Sequence, residues 1–275
     1  MKTLSLKRKV KKSLLLVPLL VLSLSTGITN AEPISSKDLA EQSVNNYIKA
    51  VQEGDIYKAA NWVIDERFST AEEQLNQYKE ALISNPFSEV NLKSITPNPD
   101  DSYTALVELT RKDSGELNTV SYPVIYKDNS WKLVINGQET MSKKVEKLTK
   151  HQNSVVISPL AATELGSYSE FLLKVGKSAY SNKFDMTENA VGVTGWQQIA
   201  GSVSDTTVRY SIVKKGLFSD DAYGQTFYTG WNYWDGAAFY ITITTSSRTY
   251  SGVHLKATNE DIGNSIAIRG HIYGN

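Results

Sequence analysis

The sequence predicts a chain in two parts, an α+β half followed by an all-β sandwich or jelly roll. Three observations lead there. Residues 35–84 carry apolar side chains at helical spacing, and residues 88–136 alternate with period two. Beyond residue 155 helical periodicity gives way to about eight short apolar runs, parted by Gly, Ser, Asn and Asp clusters. The expected division is 1–31 leader, 32–139 first domain, 140–154 linker and 155–275 second domain.

Residues 1–31 read as a secretory leader. Lys2, Lys7, Arg8, Lys9, Lys11 and Lys12 make a basic start, and "SLLLVPLLVLSLST" is a short apolar run. Thr29 and Ala31 supply the small residues of a cleavage site after Ala31. The run is short for a hydrocarbon core of about 30 Å. The leader holds six of the 29 bases and no acid, so the remainder has 23 bases against 29 acids, a net −6. That balance argues against nucleic acid and against an anionic membrane surface. With no cysteine, neither a cysteine-linked lipid nor a disulfide is available. The expectation is a secreted, extracellular protein without a stable membrane anchor.

The first half opens with helices. Ser35 with Asp38 makes a capping box ahead of Ala40, Val44, Tyr47, Ile48 and Val51. Gly54 and Asp55 separate that stripe from Ile56, Ala59, Ala60 and Val63. Thr70 with Glu73 caps a third helix, carrying Leu75, Tyr78 and Leu82, and Asn85-Pro86 ends it. A meander follows. Tyr103, Ala105, Val107 and Leu109 share one face, as do Val120, Tyr122, Val124 and Tyr126, then Trp131, Leu133 and Ile135. "NPDDS", "KDSGE" and "KDNS" supply the turns.

The segment "AVQEGDIYKAANWV", a third helix and a meander closing on "NSWKLVI" resemble the nuclear-transport-factor-like fold over residues 35–137. The resemblance implies an α+β cone, three helices on an antiparallel sheet, in a superfamily that includes ketosteroid isomerases. Its enzymes project Asp, Glu or His from the inner sheet face. Here that parity holds no carboxylate or imidazole, and Glu108 stands on the other face, so an activity is not carried over. Two readings remain for the cone: a pocket rimmed by Trp62, Tyr103, Tyr122 and Tyr126, or a filled core. An isomerase-like enzyme would need a helix-borne acid such as Asp65 or Glu66. Residues 140–154, polar and basic, read as a linker or a short helix.

In the second half the expected strands are Val155–Thr163, Tyr168–Val175, Ala190–Trp196, Thr206–Lys214, Thr226–Trp234, Ala237–Thr245, Gly252–Ala257 and Ser265–Tyr273. "FYTGWNYWDGAAFY", residues 227–240, dominates the reading. Asp235-Gly236 predicts a two-residue hairpin turn, which would bury Phe239, Ile241 and Ile243. Trp231, Tyr233 and Tyr240 would then form an outward aromatic row, with Asn232, Asp235 and Gln225 placed to bind sugar hydroxyls. A register slipped by one residue would turn the row into the core.

The chemistry expected from this is binding. His151, His254 and His271 have no metal-ligand spacing, and neither H-E-x-x-H nor G-x-S-x-G occurs. No cofactor is expected. Calcium is the one candidate metal, in loops carrying Asp220, Asp221, Glu260 and Asp261, against solvated Asx-capped turns. The expected function is a non-catalytic extracellular protein that binds polysaccharide or another cell-wall ligand. The alternatives are a secreted hydrolase or isomerase-like enzyme, and a protein-interaction or toxin-like module.

Overall fold

The computed structural model describes residues 35–150, 162–199, 201–232 and 236–274. The expected leader, most of the strand expected from Val155, His151, and Tyr233 with Asp235 lie outside them. Among the described residues no helix is long and apolar enough to cross a membrane.

Helix α1 (Ser36–Gln52) starts on the capping box, Ser35 Oγ accepting from the Asp38 amide at 3.2 Å. Helix α2 (Ile56–Ala60), capped by Asp55, lasts five residues, and Val63 stands in strand β1 (Val63–Asp65) instead. The chain leaves the helix because its backbone finds a partner: the Leu133 amide donates to Trp62 O at 3.0 Å. Helix α3 (Ala71–Ile83) is capped by Thr70. Strands β2 (Phe87–Pro97), β3 (Tyr103–Arg111), β4 (Leu117–Lys127) and β5 (Ser130–Ile135) follow, in a sheet ordered β1-β5-β4-β3-β2. Next come β6 (Glu139–Met141) and helix α4 (Lys143–Lys150).

The remaining strands are β7 (Thr163–Leu173), β8 (Ser178–Tyr180), β9 (Phe184–Met186), β10 (Ala190–Ile199), β11 (Thr206–Lys215), β12 (Asp220–Gly230), β13 (Phe239–Thr244), β14 (Tyr250–Asn259) and β15 (Ile266–Gly274). They make two sheets, β13-β10-β15-β7 and β6-β12-β11-β14-β8, with β9 paired to β14. Val191, Val193, Ile268 and Ile272 from the first meet Val208, Tyr210, Ile212 and Leu255 from the second in one core. Period-two alternation produces this sandwich, one face of each strand being apolar.

The expectation of a three-helix α+β cone followed by a separate sandwich is corrected by this structure. Residues 35–275 form one compact unit, mostly β with curled sheets and four short helices among the described residues. Two features tie the halves together. Strand β6 leaves the first half to pair in parallel with β12 of the sandwich. Leu217 and Phe218, between β11 and β12, enter the core formed by α1 and the first sheet. Tyr122 donates to Phe218 O at 2.7 Å, and Tyr47 donates to Leu217 O. Of the two readings of that interior, pocket or filled core, the structure has the filled core, and the second half supplies part of the filling.

Candidate functional site

The strands that the hairpin predicted at Asp235-Gly236 would join, β12 and β13, are not paired with each other. Strand β12 pairs with β11 and β6, whereas β13 pairs with β10 in the opposite sheet. The chain crosses between sheets here because buried amides give it better partners than a hairpin would. Gln197 is fully buried; its Nε2 donates to Thr206 O, Tyr228 O and Gly230 O, and its Oε1 accepts from Tyr210 at 3.0 Å. Asn232 takes the next step: its amide donates to Gln197 O, its Nδ2 to Ala237 O, and its Oδ1 accepts from Tyr228.

The sites expected from sequence are distributed as follows. Trp231 is 38% exposed, and Asn232 is half-buried as the crossing residue just described. Gln225 lies on β12, opposite Ser211, in the other sheet from Tyr240. Of the expected cone rim, Tyr122 is fully buried and Trp62 packs against the core, so they line no pocket together. Tyr103 and Tyr126 instead flank Trp131, ring centroids 5.0 and 5.5 Å away, in an open groove of about 560 Å³. Asp65 is locked by Arg67 at 2.6 Å and by the Tyr78 hydroxyl at 2.9 Å.

The four acids considered for calcium do not converge. Asp220 is fully buried between Arg67 at 2.8 Å and Lys256 at 3.2 Å, and accepts from Tyr180 at 2.6 Å. Burial opposes its charge, but Lys256 and Arg67 prevail and hold its carboxyl below the usual range. Asp221 faces Arg111 at 2.6 Å, yet burial pushes its carboxyl up. Glu260 pairs with Arg209 at 2.7 Å, and Asp261 accepts from Asn264. Among the described residues no group of three or more His, Cys, Asp or Glu is gathered for a metal.

What the sandwich does present is one open aromatic and polar face. Along β10, Val191, Val193 and Gln197 point inward, so Thr194 and Trp196 point outward. Cross-strand pairing then aligns Tyr240, Thr194, His271 and Ser167 in one row. Trp196, Arg269 and Ser169 form the next row, and Gly192 with Tyr273 the one before. The Tyr240 ring lies over Gly192, where an added Cβ would sit 2.5 Å from the hydroxyl, so only glycine admits this flat pose. Trp196 Nε1 donates to Gly236 O at 3.1 Å, fixing the indole. The Tyr240 hydroxyl and Gln198 Oε1 are themselves buried and have no hydrogen-bond partner. His271 Nδ1 meets Glu164 at 2.9 Å, and Phe171 at the far edge is 66% exposed.

Sequence reasoning found Tyr240 on this face but missed Trp196, Arg269, His271 and Tyr273. Parity within β10 and β15 carries them; only the strand pairing that makes them neighbours was not readable.

No protein-family model matches the chain, and no curated protein does. Among solved structures it is similar to a glycoside hydrolase family 43 arabinoxylan arabinofuranohydrolase from Bacillus subtilis, in complex with cellotetraose. Identity is 9%, the TM-score 0.24, and the likeness covers 66% of this chain and 40% of that one. The chain thus spans less than half the length of that structure, and a likeness this low carries no argument here.

Proposed function

We propose that this is an exported glycan-binding protein whose working surface is the outer face of the β13-β10-β15-β7 sheet. The observation that carries the reading is the fixed pair Trp196 and Tyr240, one indole and one flat phenol on a face that Arg269, His271 and Gln198 make polar. A pyranose ring presents C–H bonds on its faces, which pack on the negative faces of aromatic rings. Its hydroxyls then need donors and acceptors at the ring edges. Arg269, His271 and the hydroxyls of Thr194 and Ser169 stand in the same rows for that purpose. Preorganised aromatics lose little side-chain entropy on binding, which favours affinity on a flat surface.

The test is a pull-down of the mature protein on insoluble cell-wall glycan, comparing wild type with Trp196→Ala. Loss of a central aromatic anchor should weaken binding by about 1–3 kcal/mol. Retained binding by Trp196→Ala, or capture by protein-coated but not glycan beads, contradicts the reading. The export component is tested by mass spectrometry of the culture medium, which should find Glu32 at the N-terminus.

A further inference from the structure

The opposite sheet carries a second feature that the glycan-binding face does not use. Between the start of α3 and the β8 edge of the sandwich lies a cleft of about 600 Å³, within the roughly 300–1,000 Å³ of small-molecule sites. Its floor holds two buried bases, Lys215 of β11 and His254 of β14. The Lys215 amine sits between the rings of Phe68 and Tyr180, 4.8 and 4.4 Å from their centroids. It donates to Arg67 O at 3.1 Å, and the nearest carboxylate oxygen, of Glu73, is 3.9 Å away.

His254 is 8% exposed. Its Nδ1 lies 2.9 Å from Ser181 O, and a carbonyl can only accept, so the ring proton is on Nδ1. Nε2 therefore offers a lone pair, and it has no partner although it is buried. A buried acceptor without a donor is destabilising, and such groups call for a ligand or water. Burial lowers the pKa of both bases, and Lys215 further disfavours a charged His254. An imidazole kept neutral next to an amine suits a group that donates to one and accepts from the other. A hydroxyl does both. Anions fit less well: Glu66 and Glu80 take up Lys177 and Lys183 in ion pairs, and Glu73 and Glu170 add two further carboxylates to the lining.

We propose that this cleft binds a single sugar unit, with one hydroxyl donating to His254 Nε2 and accepting from Lys215 Nζ. The site stands apart from the Trp196 face, so either can fail alone. The test is an NMR titration of the imidazole resonances of the full mature chain with D-glucose, N-acetyl-D-glucosamine and D-xylose, then with inorganic phosphate. At least one sugar should shift His254 saturably, whether or not His271, which reports on the other face, moves. His254→Gln should weaken that binding about 10-fold or more by calorimetry, and Glu73→Gln provides a second, less buried variant that should weaken it too. No shift of His254 with any sugar, or a shift with phosphate alone, overturns the proposal. So does an unchanged affinity in both variants. The wild-type titration decides the matter even if His254→Gln does not fold.

Discussion

The two outer faces of the sandwich follow the same alternation and meet opposite fates. On the β6-β12-β11-β14-β8 sheet the outward residues include Arg209, Lys215, His254, Lys256, Asp220 and Glu139, and the first half of the chain covers much of them. Lys256 reaches Glu139 at 2.8 Å and Asp220 at 3.2 Å, while Arg209 reaches Glu139 at 2.5 Å. On the β13-β10-β15-β7 sheet the outward residues are fewer in charge and richer in rings, and they meet solvent. The lesson is that charge on a strand face does not mark the solvent side. Buried charges survive where their partners arrive with them.

The largest expected effect falls on the covered face. Asp220→Ala removes the carboxylate shared by Arg67 and Lys256, which keep Asp65 and Glu139, and leaves one excess positive charge in the buried network; this should cost about 3–5 kcal/mol in urea unfolding. A loss under about 1 kcal/mol, the range of exposed pairs, would erase the contrast between the faces. Tyr122→Phe is the next test. It removes the donor to Phe218 O and should cost about 1–3 kcal/mol, the penalty for a buried group left unsatisfied.

The pH dependence sharpens the comparison at smaller amplitude. Burial depresses the His254 pKa, with Lys215 and Lys183 acting in the same direction and Asp220 against it. The unfolded chain therefore takes up this proton first, near the ordinary value of about 6.5. Stability contributed here is full above that pH and falls as the solution is acidified toward the lower folded pKa. Asp220, whose folded pKa is depressed below the carboxylate range, keeps its contribution through that window and loses it only in stronger acid. Chemical denaturation of wild type and His254→Gln between neutral pH and about pH 5 should show the variant losing less on acidification. The smallest stability effect belongs to the open face. Trp196→Ala should cost no more than about 1 kcal/mol in the same assay, because the site is at the surface.

Much of the fold was legible where local chemistry decides it. The Ser35 and Thr70 caps, the strands of the first sheet and most strands of the sandwich follow from capping boxes and period-two patterns. Parity of β13 was also readable, with Phe239 and Ile243 buried as expected. What could not be read was covering and pairing. Parity places Lys215 and Lys256 away from the sandwich core but says nothing of the first half closing over them. The Asp235-Gly236 signal is local, and it lost to Gln197 and Asn232, whose amides bind the crossing backbone from afar in sequence. Trp196 stayed unnoticed for the same reason: its neighbours Arg269 and Tyr240 lie 73 and 44 positions further along the chain, reached only through pairing.

The central claim is that the open aromatic face, and not the groove at Trp131, takes a glycan. The chain has five tryptophans, Trp62, Trp131, Trp196, Trp231 and Trp234, so fluorotryptophan labelling gives each surface its own reporter. A fluorine NMR titration with soluble cell-wall oligosaccharide, assigned through Trp196→Phe, reads them together. The expected result is a saturable shift of the Trp196 signal with Trp62 and Trp131 unmoved. A still Trp196 signal, or a shift confined to Trp131 between Tyr103 and Tyr126, would contradict the account.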